Sequence, residues 1–253
     1  MSTDDFVRFA VLLLAGVGSG ILGYAAGLAS LVSFPVLLAL GMPPLTANVT
    51  NSVALTGLTL GGVASAQPEL VGMRRRILTF GGLGVVGGAC GALLLLGLPP
   101  GVFEQVVPWL VAFGSVVLLM RPWLRRWHAG RLHERHPLLL GLVGTVTVYC
   151  GYFGAGAGVL LLATFGAVLP DRLARLSALR SVVVGAANTT AALLFALAGT
   201  VDWSAVLPLL LGAVLGSTLG PPLVRRLPET PLRVGVALAG LALAVVLYLG
   251  LLG

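Results

Sequence analysis

Two features of this chain could hold an anion without any catalytic apparatus: one arginine deep in an apolar run, and backbone interrupted by glycines. Arg180 lies about nine residues beyond Asp171, roughly 13 Å along a helix at 1.5 Å per residue, inside the stretch Arg172 to Ala198. A charge at such depth is costly in a bilayer and marks a site or a path. Tyr152-Phe153-Gly154-Ala155-Gly156-Ala157-Gly158 interrupts the uncharged apolar run from Leu138 to Leu169. Each of its three glycines weakens a helix by about 1 kcal/mol relative to Ala, and together they permit a sharp turn and close approach. Broken backbone survives in a bilayer only where protein or a water-filled cavity satisfies its polar groups. Its N–H groups and the positive end of a helix dipole suit an anion.

The break has a counterpart, Gly23-Tyr24-Ala25-Ala26-Gly27-Leu28-Ala29-Ser30, within the apolar run Phe9 to Leu40. A shift of 128 positions lays Gly151-Tyr152 on Gly23-Tyr24, Gly144 on Gly16 and Ala157 on Ala29. Two interrupted apolar segments in corresponding halves are the pattern of an internally duplicated transporter. A helix that opens with polar residues follows each break. In the first half Asn48, Asn51 and Ser52 fall at i, i+3 and i+4, one helical face, with Thr50 beside them. A polar stripe inside an apolar bundle faces protein or a cavity, not lipid. The candidate substrate-binding residues are therefore Tyr24, Gly27, Ser30, Asn48, Thr50, Asn51 and Ser52, with Tyr152, Gly154, Gly156, Gly158, Ser177, Arg180 and Asn188 from the second half. Arg180 would supply the charge and the hydroxyls and amides the hydrogen bonds. Tyr24 and Tyr152 would line or gate the path.

Composition excludes much else. Hydrophobic residues make up 58% of the 253 and charged ones 9%, against about 25% charged in a soluble domain. This is an all-α, polytopic membrane protein. The formal charge of +7 does not signal nucleic acid, because the 15 basic residues, all Arg, lie mostly in short loops flanking apolar runs, as the positive-inside rule describes. Cys90 and Cys150 fall within apolar segments, and His128, His133 and His136 cluster in an Arg-rich loop. Neither set has metal-ligand spacing, so no metal and no cofactor is expected. No nucleophile–base pair or acidic cluster lies within the apolar segments, so no catalytic residue and no enzyme activity is expected. Asp4 and Asp5 precede the first run without a small-residue cleavage site, so no removable signal peptide is expected.

Residues 1–120 form the first expected transmembrane repeat, 121–137 an Arg-rich cytoplasmic linker and 138–253 the second repeat. Helices are expected over Thr46 to Ala66, Ile77 to Leu98, Phe103 to Met120, Arg172 to Ala198, Ser204 to Leu219 and Leu232 to Leu251. Gly87 with Gly91, and Gly212 with Gly216, are small-xxx-small packing faces. Arg74 to Arg76 lie in the loop after the second helix, while the matching loop of the second half holds only Asp202. One turn later Pro99 to Gly101 is uncharged and its match holds Arg225 and Arg226. The reversed charge predicts two inverted repeats, each of three transmembrane helices plus a re-entrant broken segment. Each re-entrant arm would be about 14 residues, or about 21 Å. Eight simple spans with parallel halves is the rival arrangement.

The chain resembles the TauE/SafE family of sulfite and organosulfur-anion permeases. The resemblance rests on the order and spacing of Ala47 to Ser52, Gly154 to Gly158, Asp171 to Arg180, Val201-Asp202-Trp203 and Gly212 to Arg226, and covers nearly the whole chain. In the first copy of the glycine-rich turn, Ala26-Gly27-Leu28-Ala29-Ser30 stands where several glycines are usual. The resemblance implies a secondary transporter, an exporter of a small sulfur-containing oxyanion such as sulfite or an organosulfonate, in a bacterial-type inner membrane. Its partners would be the anion, the lipid bilayer and, as a further candidate, a second copy in a homodimer. The alternatives are another small organic or inorganic anion as cargo, or a membrane scaffold.

Overall fold

The computed structural model describes residues 3–26, 29–59, 67–99, 101–124, 134–198, 201–224 and 229–250, and among them no strand occurs. The helices are α1 (Thr3–Ala26), α2 (Ala29–Ala39), α3 (Pro44–Ala54), α4 (Gln67–Leu70), α5 (Arg74–Leu96), α6 (Val102–Leu124), α7 (Pro137–Tyr152), α8 (Ala157–Val168), α9 (Leu173–Ala198), α10 (Trp203–Val224) and α11 (Glu229–Tyr248). After α3 the chain turns at Leu55 and is helical again over 56–59. Pro44 and Pro137 open their helices, where a missing N–H costs nothing. His136 caps α7 by accepting the Leu138 N–H at 3.3 Å. α6 runs to Leu124, past the expected stop at Met120, with Pro122 inside it. Arg225 and Arg226, the linker residues 125–133 and the expected helix over 60–66 lie outside the described residues.

Among the described residues four helices are long and apolar enough to cross a membrane: α1 over Asp4–Gly23, α5, α6 and α9. Shorter apolar helices accompany them, α2, α7, α8 and most of α10 and α11. Large apolar side chains point outward along these helices, Leu197 being 84% exposed and Leu14 70%. So many exposed apolar groups are untenable in water and unremarkable against lipid. Trp109, Trp123 and Trp203 are exposed as well. The chain is a polytopic α-helical membrane protein.

Backbone-to-backbone packing at glycines organises the bundle. A Cβ at Gly212 would overlap Leu13 O of α1, one at Gly216 would overlap Val17 O, and Gly16 and Gly20 meet α10 in the same way. In the second such pair, Gly87 and Gly91 of α5 lie against Thr147 and Val148 O of α7. Small residues let helices approach this closely where apolar area alone does not drive association. Val17 and Val148 thus occupy matching places against Gly216 and Gly91, 131 positions apart rather than 128. The starts of α2 and α8, at Ala29 and Ala157, are 128 apart. The first half therefore carries three more residues, close to one helical turn, between its packing face and its second arm. Gly144, expected to match Gly16, has nothing within 4 Å.

The arms also differ from the expected 14 residues. α1 has 24 residues and α2 has 11, while α7 has 16 and α8 has 12. At about 36 Å, α1 is long enough to span. Its glycines do not break it, because Gly16 and Gly20 are spent on α10 and stay helical.

Two charge clusters mark the ends of the bundle. Arg76, at the start of α5, pairs with Glu134 at 2.8 Å and with Asp171, and Asp171 also meets Arg175 at 3.2 Å. Glu134 precedes α7 and Asp171 follows α8, so this pair leaves and returns at one side. α9 begins there and is 26 residues long, about 39 Å. Just beyond its other end lies Asp202, which pairs with Arg8 of α1 at 2.8 Å. Asp202 caps α10, accepting from Ser204 N at 3.0 Å and Ala205 N at 3.3 Å, and its own N–H donates to Thr50 Oγ1 at 3.0 Å. Burial pushes its carboxyl pKa up, but the Ser204 hydroxyl, the Arg8 charge and the two N–H groups outweigh that and hold it below the ordinary value.

Candidate functional site

The break between α7 and α8 is built by glycines and held by aromatics. Gly154 and Gly156 take φ of 80° and 78°, the left-handed region that side chains other than glycine's rarely enter. Phe153 N and Gly154 N both donate to Tyr149 O, at 2.9 and 3.0 Å, which ends α7. The Tyr149 hydroxyl reaches across to Ala155 O at 2.6 Å. Phe153 is 3% exposed and sits edge-on to Phe34 of α2, ring centroids 5.3 Å apart. The first break is shorter: α1 stops at Ala26 and α2 starts at Ala29. Gly27 lies outside the described residues, and Tyr24 is in the last turn of α1 with its side chain likewise outside them.

A cavity of about 100 Å³ opens between the beginnings of the two short helices. Ala29 and Ser30 line it from α2, with Gly23 from α1. Gly154 and Gly158 line it from the second break, with Cys150 from α7. Leu55, Leu58 and Thr59 come from the turn after α3. The remaining wall is one face of α9, Arg180, Ser181, Val184, Gly185 and Asn188, spaced i, i+1, i+4, i+5 and i+8. Arg180 is 5% exposed and is the only charged side chain among the described lining residues. Its helix is held from behind: a Cβ at Gly84 or Gly88 of α5 would run into Val183 O or Ala187 O. The arrangement directs one guanidinium and the positive ends of α2 and α8 toward a small, partly apolar space, which suits an anion.

The structure thus brings Ser30, Gly154, Gly158, Arg180 and Asn188 of the candidates to one cavity. The others surround it. Asn48 is 1% exposed and donates from Nδ2 to Tyr152 O at 3.0 Å. Thr50 receives the Asp202 N–H, and Asn51 Oδ1 accepts from the Ser33 hydroxyl. Ser52 donates to Asn48 O at 2.9 Å, and its carbonyl accepts from Asn188 Nδ2 at 3.0 Å. Tyr152 stacks edge-on against Phe103 at 6.0 Å. Gly156 caps α8 beside Gly114. Ser177 is half-buried and accepts the Ser181 hydroxyl at its carbonyl. Thr59, Cys150, Ser181 and Gly185 line the cavity and were not anticipated. Ser181 and Gly185 were findable, since both lie with Asn188 on the Arg180 face at helical spacing. Among the described residues no group of three or more His, Cys, Asp or Glu side chains is arranged to hold a metal.

Apolar helices folded round a cavity lined by one arginine define a multi-pass membrane protein. The family described as Sulfite exporter TauE/SafE matches residues 9–247. The chain is 30% identical over 224 residues to the Probable membrane transporter protein YfcA of Escherichia coli K12, covering 86% of this chain and 80% of that one. It is 27% identical over 232 residues to a Probable membrane transporter protein of Haemophilus influenzae Rd, covering 88% of each. It is 26% identical over 218 residues to the Probable membrane transporter protein ORF9 of a Sinorhizobium species, covering 85% of this chain and 82% of that one. The chain belongs to the TauE/SafE family of membrane transporters.

Proposed function

We propose that the chain is a secondary transporter that exports a small sulfur-containing oxyanion, sulfite or a short organosulfonate, held in the cavity between α2, α8 and α9. The observation that carries this reading is Arg180, buried on a cavity walled by the starts of two short helices. The sequence has no glycine-rich nucleotide-binding loop of the GxxxxGK[ST] type, so a gradient or the membrane potential supplies the drive. A potential negative inside favours outward movement of an anion by about 2.3 kcal/mol per charge at 100 mV. Proteoliposomes holding the purified protein are expected to release preloaded radiolabelled sulfite or sulfoacetate faster than empty vesicles. Equal release from both would sink the transport reading and favour a scaffold.

The two halves are inverted repeats in a bacterial-type inner membrane, with Arg74 to Arg76 and the 121–137 linker on the cytoplasmic face. Three observations support this. The charge clusters lie at opposite ends of α9, α7 and α8 leave and return beside Arg76, and α1 on α10 repeats the packing of α7 on α5. Single cysteines placed at Arg75 and Arg226, in a background lacking Cys90 and Cys150, are expected to be labelled only from the cytoplasmic side. Reaction of position 226 from outside would replace the inverted arrangement with parallel halves.

A further inference from the structure

We infer that the contact between Thr59 and Gly185 is the size filter of the cavity, the place where the length of the transported anion is limited. This rests on the transport reading above and adds to it the residues that set which anions fit.

The two residues come from different halves and meet at the cavity wall. Both line it, Thr59 from the segment after α3 and Gly185 from the Arg180 face of α9. A Cβ added at Gly185 would overlap Thr59 Cγ2 and stand 3.2 Å from its Oγ1. The wall here is therefore a methyl and hydroxyl seated directly on a glycine, with no room for an added Cβ. The turn that leads into Thr59 is itself closely packed. A Cβ at the neighbouring Gly57 would be 2.9 Å from Val214 Cγ2 and 3.2 Å from Leu210 O of α10. Threonine is also stiff at χ1, so a group pressing on it meets resistance. Gly185 lies five residues beyond Arg180, between one and two helical turns. An anion whose head is at Arg180 would extend its apolar end along the α9 face, past Val184, toward this contact. The wall there is small and uncharged, formed by Val184, Gly185 and Thr59, so it discriminates by length rather than by charge.

The test is a size series. Flux of sulfite and of straight-chain alkanesulfonates of increasing length is measured in proteoliposomes of wild type, Thr59→Ala, Gly185→Ala and the double variant. Wild type is expected to show a cut-off. Thr59→Ala moves it to longer chains, with a gain of about 10-fold or more for the first excluded member, the discrimination one methylene commands in a tight pocket. Gly185→Ala moves it to shorter chains by a similar factor, and the double variant returns it toward wild type because the lost methyl makes room for the added one. Should Gly185→Ala fail to fold, Thr59→Ala and the double variant carry the same comparison. An unchanged cut-off in folded, active Thr59→Ala overturns the filter while leaving transport intact. Absence of flux for every anion in wild type removes the transport reading itself, and this inference with it.

Discussion

Arg180→Gln is expected to abolish anion binding in protein that still inserts and folds. The guanidinium is the one charged group among the described residues lining the cavity, and at 5% exposure water cannot replace it. Truncating one partner of a buried charge pair typically costs about 2–5 kcal/mol, so affinity should fall by about 30-fold at least. Arg180→Lys keeps the charge but loses the planar fork that grips two oxyanion oxygens at once, and should fall between wild type and Arg180→Gln. Arg172→Gln, an exposed position one turn before α9 enters the bundle, should change little. Titration of sulfite by isothermal calorimetry on the purified variants, alongside their melting temperatures, separates a lost site from a lost fold. Wild-type affinity in Arg180→Gln would leave the cavity resting on helix ends and hydroxyls alone.

Gly216→Leu should fail earlier, at folding. A side chain there has no rotamer to choose, because its Cβ already collides with Val17 O and stands 2.8 Å from the Val17 carbonyl carbon. Overpacking a tight site costs about 1–3 kcal/mol and occasionally more, and here the obstacle is backbone, which cannot rotate aside. α1 and α10 would have to part along their length. The control is Gly144→Ala on α7, with nothing within 4 Å, which should be tolerated or gain up to about 1 kcal/mol in helix propensity. Thermal unfolding in detergent reads both. A Gly216→Leu protein as stable as wild type, but unable to bind substrate, would move this glycine from the packing face to the site.

Much of this was legible in the sequence because it is local. Gly154 and Gly156 announced a break, since the left-handed turn they form needs no distant partner. The small-xxx-small spacing at Gly87 and Gly212 announced close packing. What was not legible is where the polar stripe spends its hydrogen bonds. Asn48 Nδ2 donates to Tyr152 O, and Thr50 Oγ1 accepts from Asp202 N, partners more than a hundred positions away that no periodicity reveals. Thr59 escaped notice because a single threonine among leucines carries no signal until Gly185 is placed against it. The 128-position shift matched the second arms, where the helix starts agree. It misses by three along α1 and α7, where the register is set by α10 and α5 rather than by the break.

The glycine contacts also tie the two halves of the chain to each other. α1 lies on α10 and α7 on α5, so each of these close-packed pairs takes one helix from either half. Residues 1–120 made alone would leave the small faces of α1 and α5 bare. Covering them takes the other half, and one continuous chain supplies it tethered, at an effective concentration that dilution cannot lower. Pulling the halves apart as blocks would separate backbones too close to admit a single methyl.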